Sequence, residues 1–162
     1  MNNQINLRVA LFEPRIPQNT GNIARTSAAF NFTLDLIKPM GFSIDDKNLK
    51  RAGLDYWKYL DINVHDNYND YKNLIKSKRL IGFSRFSKKS VSTFKFKNDD
   101  VLMFGREDNG LPQNIKDECY EVVTIPMPGG CNEEINKLGV RSLNLSVSVG
   151  IAIYKAYESI QI

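Results

Sequence analysis

A chain of 162 residues, 42% hydrophobic and 25% charged, is long enough to bury one sizeable core and too short for two ordinary domains, so a single domain over residues 1–162 is expected. Its 22 basic and 18 acidic residues leave a net charge of only +4, yet the isoelectric point near 9.0 leans towards a polyanionic partner. Two cysteines, Cys119 and Cys131, exclude a disulfide framework and stand in no metal spacing, and no stretch approaches the ~20 apolar residues of a membrane span, so a cytoplasmic protein with reduced thiols and no membrane partner is expected.

"LRVALF" (Leu7 to Phe12) reads as a first strand, and "EPRIPQNTGNIAR" follows it as a polar corner. Two prolines hold the corner extended, Asn19 and Thr20 are expected to cap a helix over Thr20 to Phe30, and Gly21 allows close approach. With Arg25 further along, that helix start suits an anion or phosphate; a well-capped helix carrying an ordinary surface arginine is the alternative. "LDLI" (Leu34 to Ile37) is a second strand, Asp45 to Ala52 a helix, and "INV" (Ile62 to Val64) a third strand. The single histidine, His65, falls in "VHDN", which reads as exposed loop and offers little for a Ser-His-Asp or Cys-His site.

A helix over Tyr68 to Lys76 and the strand "LIGF" (Leu80 to Phe83) come next. From Tyr71 to Asn98 there are nine Lys or Arg and no Asp or Glu, with Phe83, Phe86, Phe94 and Phe96 interleaved. Cations that neutralise phosphates beside rings that stack bases are the two main terms of RNA binding; the plainer reading is a solvated lysine-rich face with phenylalanines turned into the core. "VLMF" (Val101 to Phe104) is a strand that leaves through the charged, glycine-bounded corner "GREDNG". Pro112 to Glu118 reads as a helix and "EVVTI" (Glu121 to Ile125) as the last strand, before a proline- and glycine-rich loop.

The segment from Leu143 to Ile153 alternates apolar and small residues with a strand period. Its length, a Ser142 or Asn144 cap and the helix-friendly "YKAYES" favour a largely buried helix instead. Short strands separated by helix-sized segments argue for an α/β domain, a mostly parallel sheet with helices on both faces. In such sheets, ligands bind beyond the carboxyl ends of the strands, where all three polar corners lie. There is no GxxxxGK[ST], no GxGxxG after the first strand and no metal spacing, so chemistry must come from Arg, Glu, Asn, Ser, backbone groups or a reactive cofactor.

"PQNTGNIAR", "FGREDNGLP" and "IPM…RSLNLSVSVGIAIYKA", in this order, resemble the three signature motifs of the SPOUT-class RNA 2'-O-ribose methyltransferases, a likeness running from about Leu7 to Tyr157. "EPRIPQNTGNIARTSAAF" and "KPMGFSIDDKNLKRAGLDYW" are most similar to the branch that methylates the wobble nucleotide of tRNA. The resemblance implies an α/β domain with a C-terminal trefoil knot, a homodimer, and S-adenosylmethionine (SAM) as methyl donor, leaving S-adenosylhomocysteine (SAH), with no metal. It implies catalytic tasks for Asn19, Arg25, Glu107 and Asn144, with Arg25 binding the target phosphate and assisting or acting in deprotonation. Phe83, Gly105, Ile125, Ser142 and Leu145 would lie at the cofactor. The basic segment would hold the tRNA anticodon arm by its phosphates.

Two features depart from the branch. The second motif reads "GRED" where "GPET" is expected, Arg106 being more typical of sister branches, and the loop from Pro128 to Val140 is longer than in compact members. An rRNA ribose methylase and a non-catalytic RNA-binding protein of the same fold remain as alternatives.

Overall fold

The computed structural model describes residues 4–45, 47, 49, 51, 56–128 and 142–161. The expected helix over Asp45 to Ala52 lies largely outside these residues, and Cys131, Arg141 and nearly all of the Pro128 to Val140 loop lie outside them too. Seven strands form one sheet: β1 (Arg8–Phe12), β2 (Thr33–Ile37), β3 (Ile62–His65), β4 (Leu80–Phe83), β5 (Lys89–Ser90), β6 (Val101–Phe104) and β7 (Glu121–Thr124). Their spatial order is β3-β2-β1-β6-β4-β7-β5, and every pairing is parallel. The helices described over their full length are α1 (Pro17–Phe30), α2 (Tyr68–Ile75), α3 (Gln113–Glu118) and α4 (Leu145–Gln161), with a short 3-10 turn at Trp57–Tyr59.

The strands are apolar along their whole length because both faces of the sheet are covered. Val9 and Leu11 of β1, with Leu34, Leu36, Leu102 and Phe104, face α1 through Ile23 and Ala24 and α4 through Val149, Ala152, Ile153 and Ala156. Ala10, Phe12, Ile37, Val101 and Met103 point the other way, against Tyr71 and Ile75 of α2 and Ile115 of α3. Alternate residues therefore feed two cores, as the period of two in a strand requires.

Four sequence expectations change. The α1 helix begins at Pro17, whose ring sets the backbone of a first turn, so Asn19 and Thr20 are interior residues, 5% and 0% exposed, rather than caps. His65 is no loop residue: it ends β3 with its side chain 14% exposed and its Nε2 2.9 Å from Asp35 Oδ1. The edge strand β5 went unread because two polar residues carry no apolar pattern. Of the interleaved phenylalanines, Phe94 and Phe96 are core residues, 8% and 4% exposed, and Phe83 stacks on Phe104 at 4.4 Å. Part of the basic segment is paired internally as well, Lys72 with Glu118, Lys78 with Asp99 and Arg79 with Asp100.

The ambiguous C-terminal segment is a helix, and the helix explains its pattern. Residues two apart lie about 200° apart around a helix axis. An alternating sequence therefore makes two opposed apolar faces. Val149, Ala152, Ile153 and Ala156 are buried on one; Val147, Ile151 and Tyr154 are 50%, 36% and 54% exposed on the other. The helix is thus half buried within this chain rather than largely buried.

Candidate active site

The strand order sets β1, β6, β4 and β7 side by side, so the polar corners that follow β1 and β6 open at neighbouring carboxyl ends, with the start of α4 beside them. Glu107, in the corner after β6, reaches back to the corner after β1. Its Oε2 accepts the Arg15 backbone N–H at 2.8 Å, and its Oε1 accepts the Ile16 N–H at 3.0 Å and the Asn19 amide at 3.4 Å. The amino end of α1, which the sequence offers as a phosphate site, is thus already complemented by a carboxylate of the same chain.

Asn19 carries the connection onward, because its Oδ1 accepts the Asn144 amide at 3.0 Å. Asn144 in turn accepts the Ser146 N–H at 2.9 Å and the Ser146 hydroxyl at 2.6 Å through Oδ1, capping α4. One chain of hydrogen bonds, Glu107 to Asn19 to Asn144, therefore ties three segments distant in sequence.

These residues line a cavity of about 460 Å³, within the range of small-molecule sites. The stacked pair Phe83 and Phe104 lies on one side, with Ile125, Met127, Leu143 and Leu145 as further apolar lining and Ser142, Ser148 and Asn19 as polar lining. Gly105 is demanded by packing: a side chain there would run into the backbone of Gly110 and Leu111. The corner closes on itself through Arg106 N to Gly110 O (3.1 Å) and Gly110 N to Arg106 O (2.8 Å), with Gly110 at φ 66°.

Within the corner Arg106 grips Asp108 through Nε and Nη2, at 2.8 and 2.7 Å, and its Nη1 approaches Glu13 at 3.6 Å. Its hydrogen bonds hold the Asp108 carboxyl down at about 2, and the same contact raises the Arg106 guanidinium. Cys119 is outside the cavity lining, and burial pushes its thiol up to about 11, so it is no ready nucleophile. Among the described residues no His, Cys, Asp and Glu group could hold a metal ion.

Eight of the nine site residues expected from the sequence line this cavity: Asn19, Phe83, Gly105, Glu107, Ile125, Ser142, Asn144 and Leu145. Arg25 does not. It is exposed on α1, its guanidinium 5.0 Å above the Tyr56 ring. Sequence reasoning missed Arg15 and Ile16, whose contribution is backbone N–H and leaves no mark in residue type. It also left Arg85 and Phe86 in a general basic stretch, although both line the cavity.

In sequence and fold the chain is similar to known proteins. A relative from Lactococcus lactis subsp. cremoris is 47% identical over 158 residues, covering 93% of this chain and 87% of its own. The tRNA (cytidine(34)-2'-O)-methyltransferases of Methylovorus glucosotrophus and Escherichia coli K12 are 38% and 36% identical, covering 93% and 95% of this chain and 93% and 94% of their own. A solved structure described as giving insights into the 2-OH methylation of C/U34 on tRNA is 40% identical, with a TM-score of 0.87 over 96% of this chain and 97% of its own. AviRb from Streptomyces viridochromogenes, at 20% identity and a TM-score of 0.83 over 98% of this chain and 59% of its own, shares the fold. With its family model matching residues 6–154, the chain belongs to the SpoU rRNA Methylase family.

Proposed function

We propose that this protein methylates the ribose 2'-hydroxyl of the wobble nucleotide of tRNA, with SAM as donor. The observation that carries the reading is the Glu107–Asn19–Asn144 chain beside a half-apolar cavity at the carboxyl ends of β4, β6 and β7. Relatives that share most of the chain bear the name tRNA (cytidine(34)-2'-O)-methyltransferase despite the arginine at position 106 here, which favours the wobble nucleotide over another tRNA or rRNA position.

The lining residues fit the donor. Phe83, Ile125 and Leu145 offer apolar contact to an adenosine, and Gly105 and Ser142 bring backbone and hydroxyl groups to its polar edges. When bound, SAM supplies a methyl carbon made electrophilic by its sulfonium, so what the protein must add is alignment and removal of a proton from a weakly acidic alcohol. Glu107, held by two backbone N–H groups, fixes the corner that carries Gly105. Asn19 and Asn144 hold the mouth at a fixed width and orient the ribose. Arg25, exposed as a phosphate contact must be, binds the target phosphate and so positions it to pass the 2'-hydroxyl proton on to solvent water; an arginine, protonated at any ordinary pH, is a poor free base.

A homodimer belongs to the same reading, since the exposed Val147, Ile151 and Tyr154 face of α4 is an apolar surface that the described residues leave uncovered. So does a C-terminal knot in a single domain, on the likeness to SpoU-fold structures. The substrate would be a cytoplasmic RNA gripped at the anticodon arm; no helix among the described residues is long and apolar enough to cross a membrane. Incubation with labelled SAM and separate tRNA and rRNA pools, followed by nuclease digestion and mass spectrometry, tests the reading. Methyl on the ribose of the wobble nucleotide is expected; transfer only to rRNA, or to neither pool, would overturn it.

A further inference from the structure

The turn between β4 and β5 is the part of the basic segment that the core does not absorb. Phe86 sits at its crest, 66% exposed, while Phe83, Phe94 and Phe96 pack inward. A large ring left in water costs favourable burial, and this one is not there because the loop is slack. The turn is clamped on both sides: Ser84 N–H donates to Val123 O at 3.0 Å and the Ser87 hydroxyl to Val122 O at 2.6 Å. Inside it, Phe86 N–H meets Ser84 Oγ at 3.3 Å and Ser87 N–H meets Ser84 O at 3.2 Å. Beyond it, β5 docks on β7.

Phe86 and Arg85 both line the cavity, and the Arg85 guanidinium lies 4.1 Å above the Phe86 ring centre. The exposed Lys88 and Lys89 follow immediately. A rigid ring with a cation on its face, next to two lysines and at the mouth of the methyl-donor cavity, has the composition of a platform for a single unpaired base. A ribose hydroxyl has to be delivered into that mouth with its base outside the helical stack, and stacking tolerates either pyrimidine because every base has a π face.

We propose that Phe86, braced by Arg85, is the surface on which the base of the target nucleotide stacks while its ribose is methylated. The proposal rests on the reading of this chain as a tRNA ribose methyltransferase and adds a substrate-positioning residue to it. Phe86 is a positioning group for the base and takes no part in proton or methyl transfer.

The test uses the full-length protein with SAH and an anticodon stem-loop RNA carrying 2-aminopurine at the wobble position. Binding to the wild type is expected to quench the fluorescence of that base. Phe86→Ala and Phe86→Leu should lose the quench and weaken RNA binding about tenfold, with KM for tRNA rising more than kcat falls, while Phe86→Trp retains both. SAH affinity by calorimetry should be unchanged in all three. A quench preserved in Phe86→Ala, or SAH affinity lost in place of RNA affinity, overturns the assignment. If the wild type transfers no methyl to tRNA, the functional reading itself fails; if it does and Phe86→Ala matches it, only the stacking assignment fails.

Discussion

Two carboxylates organise this molecule, and they do so in opposite surroundings. Asp35, in the middle of β2, is fully buried; it accepts Nε and Nη2 of the Arg8 guanidinium at 2.8 and 2.7 Å, lies 2.9 Å from the His65 ring and accepts the Tyr71 hydroxyl at 3.0 Å. Glu107 takes two backbone N–H groups and an amide, and stands at an open cavity. Both tie segments far apart in sequence. The first spends a full charge pair inside the core and presents nothing to a ligand; it braces β1, β2, β3 and α2. The second uses uncharged donors beside solvent, which leaves the loops it joins free to present other groups. Hydrogen-bonding density alone does not mark a site; what decides is whether the network ends at a cavity or at other core atoms.

The contrast predicts unlike mutants. Asp35→Ala strands Arg8 and Tyr71 without their acceptor, and removal of one partner from a buried ion pair costs about 3–5 kcal/mol. Urea unfolding should show a loss of that size, while the folded fraction still binds SAH with unchanged affinity; intact stability would mean that the brace is ornamental. Glu107→Gln keeps the size of the side chain but turns a donor towards the Arg15 and Ile16 N–H groups or leaves one of them unpaired, at about 1–3 kcal/mol. Its main consequence should be functional, with methyl transfer falling about a hundredfold as the mouth loses its geometry, measured by single-turnover assay. Equal losses of activity per unit of stability in the two mutants would erase the distinction between brace and site.

Asn144→Ala should lose a helix cap worth about 1 kcal/mol and the link to Asn19, and Asn144→Asp should recover the cap without donating to Asn19. Methyl transfer that follows the cap alone would show that the Asn19 contact is dispensable. The smallest effect belongs to Asp108. Its carboxyl is lowered to about 2 in the fold from an ordinary value near 3.8, so its contribution is complete above the ordinary value and disappears as the pH falls through about 2. Because it is exposed, this is best followed by the NMR titration of its side-chain carboxyl; an ordinary midpoint would show that Arg106 does not hold it.

Much of the fold is legible in the chain. Leu80 to Phe83 and Val101 to Phe104 are strands to the residue, because a short apolar run bounded by polar or glycine residues leaves few alternatives. The start of α1 falls earlier than expected because Asn19 and Thr20 look like caps by type, whereas Pro17 opens the helix with no side-chain cap and Glu107 holds the Arg15 and Ile16 N–H groups just before it. His65 and Asp35 could not be paired on paper, since the partners are 30 positions apart in sequence and only the β2–β3 register brings them together.

Residue types and their spacing determined the local elements, the two-sided burial of the strands and the three polar corners, because periodicity and turn chemistry act over a few residues. The tertiary structure decided that β1, β6, β4 and β7 lie side by side, that Glu107 occupies the helix end offered to a phosphate, that one apolar face of α4 stays uncovered, and that of four phenylalanines in the basic segment Phe86 is the one that faces out. The physical reason is the same in each case: which groups meet is set by strand order and packing, and those are properties of the whole core that no short window of sequence contains.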